Sequence, residues 1–168
     1  MHETGKINRL ILGLGSNLGD RVSILQTALT DIAENIGKIS RQSGLYTSPA
    51  HGFESENDFI NLVIEVETPL SAFEAHAETL KIEEQAGRKN KSISGIYEDR
   101  FLDIDILFFN DEIIESEHLH IPHKNLADRK FVLVPLVEIL PGLIDPKSGK
   151  SSTELLKTTT DGSRIFLL

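Results

Sequence analysis

Asp103 and Asp105 stand two residues apart inside the apolar run F-L-D-I-D-I-L-F-F, residues 101–109. In a strand, side chains at i and i+2 share a face, so both carboxylates emerge together while Leu102, Ile104 and Ile106 point the other way. Two like charges roughly 7 Å apart repel unless cations or solvent intervene. Hard oxygen donors at that spacing suit one or two Mg²⁺ ions, which also take oxygens from a substrate phosphate. Alone, the same pair also fits the solvated outer face of a half-exposed strand. The neighbourhood adds a second signal. Arg88, Lys89, Lys91 and Arg100 crowd the segment before the strand, and Arg129 with Lys130 lies in a later loop. Guanidinium groups clamp phosphoryl oxygens in a bidentate way. The formal net charge of the chain is −9, so a basic cluster beside paired carboxylates points to a phosphate–metal site; the bland alternative is a solvated basic loop.

Other candidate motifs carry less. Gly13, Gly15 and Gly19 are spaced G-x-G-x-x-x-G, one residue too long for the dinucleotide fingerprint. Ser148-Gly149-Lys150-Ser151 resembles the end of a P-loop, but Ile144 stands where that loop needs glycine. His118, His120 and His123 fall close together without the spacing of a zinc site, so surface or phosphate-contacting roles are expected. With no cysteine, disulfides, thiolate metal sites and cysteine nucleophiles are excluded.

These residues need a scaffold, and 168 residues with 39% hydrophobic content suit one domain, 1–168, with a real core. No stretch approaches the ~20 apolar residues of a membrane span. The polar opening runs straight into an apolar strand, unlike a signal or transit peptide, so a cytoplasmic location is expected. An acidic chain is a poor general nucleic-acid binder. Residues 9–14 read as a buried strand ending in the loop-formers Gly15 to Asp20. Val22, Leu25, Leu29, Ile32 and Ile36 recur at helical spacing up to Gly37. Strands are expected over 38–47 and 59–67, flanking a loop over 48–57. Ser71 with Glu74 makes a capping box for a second helix ending near Gly87. After the strand 101–109, Asn110-Asp111 suggests a hairpin turn into 112–114, followed by a Pro-His loop at 122–128 and a short helix over 131–140. The order β-α-β-β-α-β fits an α+β ferredoxin-like sandwich, an antiparallel β-sheet with helices packed on its faces. That unit by itself covers one face of the sheet.

Five blocks, in order, resemble the 6-hydroxymethyl-7,8-dihydropterin pyrophosphokinases. They are L-G-L-G-S-N-L-G-D-R (12–21), Y-T-S-P through Gly52 with F-I-N (59–61), I-E-E-Q-A-G-R (82–88), R-F-L-D-I-D-I-L (100–107), and I-P-H (121–123) with R-K-F-V-L-V-P-L (129–136). The resemblance implies an enzyme of folate biosynthesis that transfers pyrophosphate from magnesium-bound ATP to the pterin hydroxymethyl group and releases AMP. It implies two Mg²⁺ ions on Asp103 and Asp105, with Arg88 and Arg100 stabilising phosphate charge as catalytic groups. ATP would meet Glu83, Arg88, Arg100, His123 and Arg129, with Ile106 near the adenine. The pterin would lie between Phe131 and the Ser48–Gly52 loop, touching Gly15, Ser48, Pro49, His51, Phe59 and Asn61. A monomer is expected. Three positions depart from the family pattern. The aromatic-Gly-Pro-Arg run is Tyr97-Glu98-Asp99-Arg100 here, and the loop from Arg88 is about two residues longer than the family pattern. A basic position is Asn90, and an apolar one in the pterin loop is His51. The competing class is a non-catalytic ferredoxin-like binding module, and a third reading is a divalent-dependent enzyme acting on another phosphorylated substrate.

Overall fold

Leu10, Leu12 and Leu14 alternate with Ile11, Gly13 and Gly15 along β1 (Asn8–Ser16), and both sets are buried. A strand with two buried faces must lie inside a sheet covered on both sides. The computed structural model, which describes residues 5–87 and 99–168, has that arrangement. Strand β1 lies between β4 (Phe59–Thr68) and β5 (Asp103–Phe109), and pairs antiparallel with each. Strands β2 (Lys38–Gln42) and β3 (Tyr46–Ser48) pair with successive stretches of β4, and β8 (Phe166–Leu167) extends the sheet beyond β3. The order β5-β1-β4 followed by β2 and β3 is that of a ferredoxin-like α+β sandwich.

Helices α1 (Arg21–Asn35) and α2 (Ala72–Gln85) cover one face. Their Leu25, Ala28, Ile32, Ala75 and Ile82 pack on Leu10, Leu12, Leu62, Ile64, Ile104 and Ile106. Asp20 caps α1 by accepting from the Ser23 amide, and Ser71 and Glu74 form the expected capping box on α2. The opposite face takes α3 (Lys130–Ile139) and α4 (Ser152–Thr158). There Leu126, Leu133, Leu136 and Leu155 pack on Ile11, Val63, Leu107 and Phe108. Burying each such side chain stabilises the fold by about 1.5–3 kcal/mol. Among the described residues no helix is long and apolar enough to cross a membrane.

Two sequence expectations change. The single strand over 38–47 is split between β2 and β3, because Ser43 interrupts the ladder. Its hydroxyl accepts the Val63 amide at 2.9 Å and its own amide donates to the Val63 carbonyl at 2.9 Å. The turn at Asn110 does not return a hairpin strand along β5. Asn110 instead extends the pairing with β1 through a 2.7 Å bond to the Arg9 carbonyl, and its side chain accepts the Arg9 amide. The chain then forms a separate small hairpin, β6 (Ile114–Glu115) against β7 (His120–Ile121). In the last third, α4 and β8 give structure to a tail in which sequence periodicity reads little.

Candidate functional site

Strand register assembles the site. Across β5, β1, β4 and β3, Asp103, Gly15, Asn61 and Tyr46 form one row, and Asp105, Gly13 and Val63 form the next. With no side chain on Gly13 or Gly15, β1 leaves a bare trough between the carboxylates on one side and the Asn61 amide on the other. A Cβ on Gly15 would lie 2.9 Å from Asn61 Oδ1, so this glycine is required by the close approach. The trough opens into a cavity of about 260 Å³, walled by the Ser48–Phe53 loop, the His123–Asn125 segment and the start of α3.

Both carboxylates are about a fifth exposed, at 20% and 19% for Asp103 and Asp105. Each faces a guanidinium: Arg100 Nη1 lies 3.4 Å from Asp103, and Arg129 Nη1 lies 3.3 Å from Asp105. Each guanidinium in turn sits over an aromatic ring, Arg100 at 5.8 Å from the Phe59 centroid and Arg129 at 5.7 Å from that of Phe131. His123 is held by its backbone amide on the Leu107 carbonyl at 3.0 Å. Its Nδ1 accepts the Asn125 amide at 3.1 Å, which leaves the proton of a neutral ring on Nε2, 3.8 Å from Asp105.

On the other side of the trough the buried Asn61 amide donates to the Ser48 hydroxyl at 2.7 Å. This bond fixes the orientation of an amide that carries both a donor and an acceptor. The His51 ring lies 5.6 Å from that of Phe131, and Phe53 meets Phe59 edge-on. The cavity therefore has an apolar, aromatic end beside an end of alternating carboxylates and guanidiniums. The chemistry of the first suits a flat ring, and that of the second suits an anion or a cation–anion pair.

Among the described residues no three His, Cys, Asp or Glu side chains converge on one point. Two carboxylates without further protein ligands fit Mg²⁺, which keeps waters and substrate phosphates in its shell rather than requiring a protein cage.

Twelve of the residues singled out in the sequence line this cavity: Gly15, Ser48, Pro49, His51, Phe59, Asn61, Arg100, Asp103, Asp105, His123, Arg129 and Phe131. Glu83 and Ile106 are not brought there. Ile106 alternates with Asp105 and so packs beneath the sheet, against α1 and α2. Glu83, 2% exposed, accepts the Ile104 amide at 2.9 Å from α2 and so fixes β5 from below. Arg88, with Lys89, Asn90 and Lys91, lies outside the described residues.

Some contributors are absent from the sequence reading. Gly13 matches no nucleotide motif, yet its alternation with Gly15 along a strand marks the floor of the trough. Asn17, 2% exposed, binds Arg100 through both backbone and side chain: its amide donates to the Arg100 carbonyl at 3.1 Å, and its Oδ1 accepts the Arg100 amide at 2.7 Å. Its Nδ2 also donates to Asp99 at 2.7 Å, where Ser55 and Asn57 converge as well. The Ser55 hydroxyl, the Asn17 and Asn57 amides and the Arg100 charge hold the Asp99 carboxyl below its ordinary value, against the effect of desolvation.

The family model described as 7,8-dihydro-6-hydroxymethylpterin-pyrophosphokinase matches residues 11–141. A 2-amino-4-hydroxy-6-hydroxymethyldihydropteridine pyrophosphokinase of Aquifex aeolicus is 40% identical over 135 residues, covering 80% of this chain and 82% of that protein. The Haemophilus influenzae protein of the same name is 38% identical over 157 residues, covering 93% and 96%. Among solved structures, wild-type HPPK-DHPS of Plasmodium falciparum superposes with a TM-score of 0.73 at 20% identity over 93% of this chain. This chain spans 44% of that longer protein, and at such identity the likeness is one of fold.

Proposed function

The chain belongs to the 7,8-dihydro-6-hydroxymethylpterin pyrophosphokinase family, and from that premise we propose how its cavity divides the work of the transfer. The enzyme moves pyrophosphate from ATP to the hydroxymethyl group of 6-hydroxymethyl-7,8-dihydropterin in folate biosynthesis, with release of AMP. ATP dependence brings Mg²⁺ with it. Our reading places two ions on Asp103 and Asp105. When bound, they would neutralise phosphate charge and align the reacting oxygens.

The chain's own residues do the rest. The pterin occupies the aromatic end, between Phe131 and the Ser48–Gly52 loop. Asn61, oriented by Ser48, reads the ring edge, and Phe59 and His51 close the sides. This holds the hydroxymethyl oxygen at the carboxylate end, in line with the β-phosphorus. The oxygen forms a bond to that phosphorus, the bond from the β-phosphorus to the α-bridging oxygen breaks, AMP leaves and the hydroxyl proton is released. Arg100 and Arg129 face the carboxylates in the absence of substrate. With ATP and metal present, they are close enough to transfer their hydrogen bonds to phosphoryl oxygens, where positioning and charge neutralisation supply most of the catalysis. His123, donating through Nε2, contacts the same chain of phosphates. Arg88 is given a phosphate role by family resemblance.

The observation that carries this reading is the pair of cross-strand rows, which place two carboxylates and the Asn61 amide on either side of the same bare glycine floor. A monomeric working unit is proposed. Sedimentation at assay concentration tests that point, and a cytoplasmic location is proposed with it. For the reaction, AMP release is measured from ATP and Mg²⁺ with and without the pterin. AMP formed only with pterin and metal is the expected result; ADP in its place would defeat pyrophosphoryl transfer.

A further inference from the structure

We propose that Asp161, beyond the family-matched residues, is a positioning residue for the pterin substrate, acting through His51 and the first turn of α3. The proposal rests on the pterin reading given above. The Asp161 side chain is 6% exposed, and both oxygens are engaged. Oδ2 accepts the Lys130 backbone amide at 2.9 Å and lies 3.7 Å from His51 Nδ1, an ion-pair separation when that imidazole is protonated. Oδ1 accepts the Ser163 amide at 2.9 Å and the Ser163 hydroxyl at 2.5 Å. Helix α3 has no side-chain cap from its own N-cap residue, Arg129. Its cap therefore comes from 31 residues further along the chain.

One carboxylate thus holds two walls of the pterin slot. It fixes the turn that presents Phe131, and it engages His51, whose ring lies 5.6 Å from that of Phe131. The segment carrying it is itself anchored, because β8 pairs with β3 and the Leu168 amide donates to the Leu45 carbonyl at 2.8 Å. Strand β3 ends at Ser48, where the pterin loop begins. The tail therefore closes a ring from β3 through the loop and His51 to Asp161, and back along β8 to β3. Such a brace sets the separation of the two walls, on which the fit of a flat ring depends.

The test compares Asp161→Ala, Asp161→Asn and His51→Leu, with Asn61→Ala as a control on the slot. Steady-state kinetics for both substrates are combined with pterin titration in the absence of ATP. Asp161→Ala is expected to raise the pterin KM and Kd about tenfold, with the ATP KM and kcat within about twofold. Asp161→Asn keeps an oxygen for the Lys130 amide but loses the charge, so an intermediate rise is expected; it also carries the test if the alanine variant does not fold. In a His51→Leu background the remaining effect of Asp161→Asn should shrink to within about twofold.

If Asp161→Ala leaves pterin binding unchanged while Asn61→Ala weakens it, the proposal is overturned and the slot stands. Equal losses for ATP and pterin would reduce Asp161 to a structural cap, which also overturns it. If Asn61→Ala leaves pterin binding unchanged, the slot is misplaced and the proposal falls with it.

Discussion

The cavity has two arms built to the same plan on different supports. One runs from Asp103 to Arg100 to Phe59, the other from Asp105 to Arg129 to Phe131, each a carboxylate facing a guanidinium that lies over a ring. The first is suspended on loops: Asn17 holds the Arg100 backbone, and its side chain joins those of Ser55 and Asn57 on the neighbouring Asp99. The second starts a helix whose Leu133 and Leu136 are fully buried beneath it. Hydrogen bonds contribute about 1 kcal/mol each and depend on geometry, whereas buried leucines are worth more and tolerate small shifts. The same chemistry is thus presented once by an adjustable polar network and once by a packed element. On the proposed reading, phosphates brought between the arms gain from having one arm that can adapt.

Removing the shared chemistry should affect the arms equally. Asp103→Ala and Asp105→Ala are each expected to lower AMP formation by on the order of a thousandfold, measured at saturating ATP and Mg²⁺. A loss in only one of them would break the symmetry. The guanidiniums come next. Arg100→Ala and Arg129→Ala should each cost about a hundredfold in kcat/KM. The Arg100 loss should fall mainly on kcat and the Arg129 loss mainly on the ATP KM. The supports should then separate the arms. Asn17→Ala is expected to lower kcat about tenfold while unfolding free energy drops by roughly 1–3 kcal/mol. Leu133→Ala should instead cost about 2–5 kcal/mol in urea titrations, with kcat close to wild type. A Leu133 variant that is stable but slow would contradict this division of labour.

The smallest effect is one of pH. Each arm leans on an aspartate held below its ordinary value of 3.8: Asp99 chiefly by Ser55, and Asp161 by Ser163, the Lys130 and Ser163 amides and His51, against burial. A carboxyl with a depressed folded-state pKa adds stability that is complete above the unfolded value and is lost as pH falls through the folded one. Unfolding free energy should therefore decline below about pH 3.8 more steeply in the wild type than in Asp99→Asn or Asp161→Asn. Equal slopes would show that these carboxyls are not depressed.

The alternation of the strands made much of this legible in sequence. The D-x-D spacing put both carboxylates on one face, and the apolar positions between them on the other. The same rule places the Ile106 side chain beneath the sheet, away from the cavity. The first helix was legible in the spacing of Val22, Leu25, Leu29, Ile32 and Ile36, and the second in its Ser71–Glu74 capping box. Ser43 was illegible as a break, since its hydroxyl only replaces a ladder partner once Val63 lies opposite. Asn17 and Asp161 were hidden for the same reason. Their roles are contacts made 83 and 31 residues away, and no local pattern marks a polar residue whose partner is chosen by the fold.

Strands β1 and β4 are enclosed by apolar layers above and below, while the arms hang from their ends and from the loops beyond. Hydrogen exchange should register this as two clocks. Amides at the centres of β1 and β4, such as Leu12 and Ile64, can reach solvent only when the whole domain opens. Those around Asn57 and Arg100 can exchange through local excursions that leave the sheet closed. The protein can therefore readjust the rim of its cavity many times within the lifetime of a single folded core.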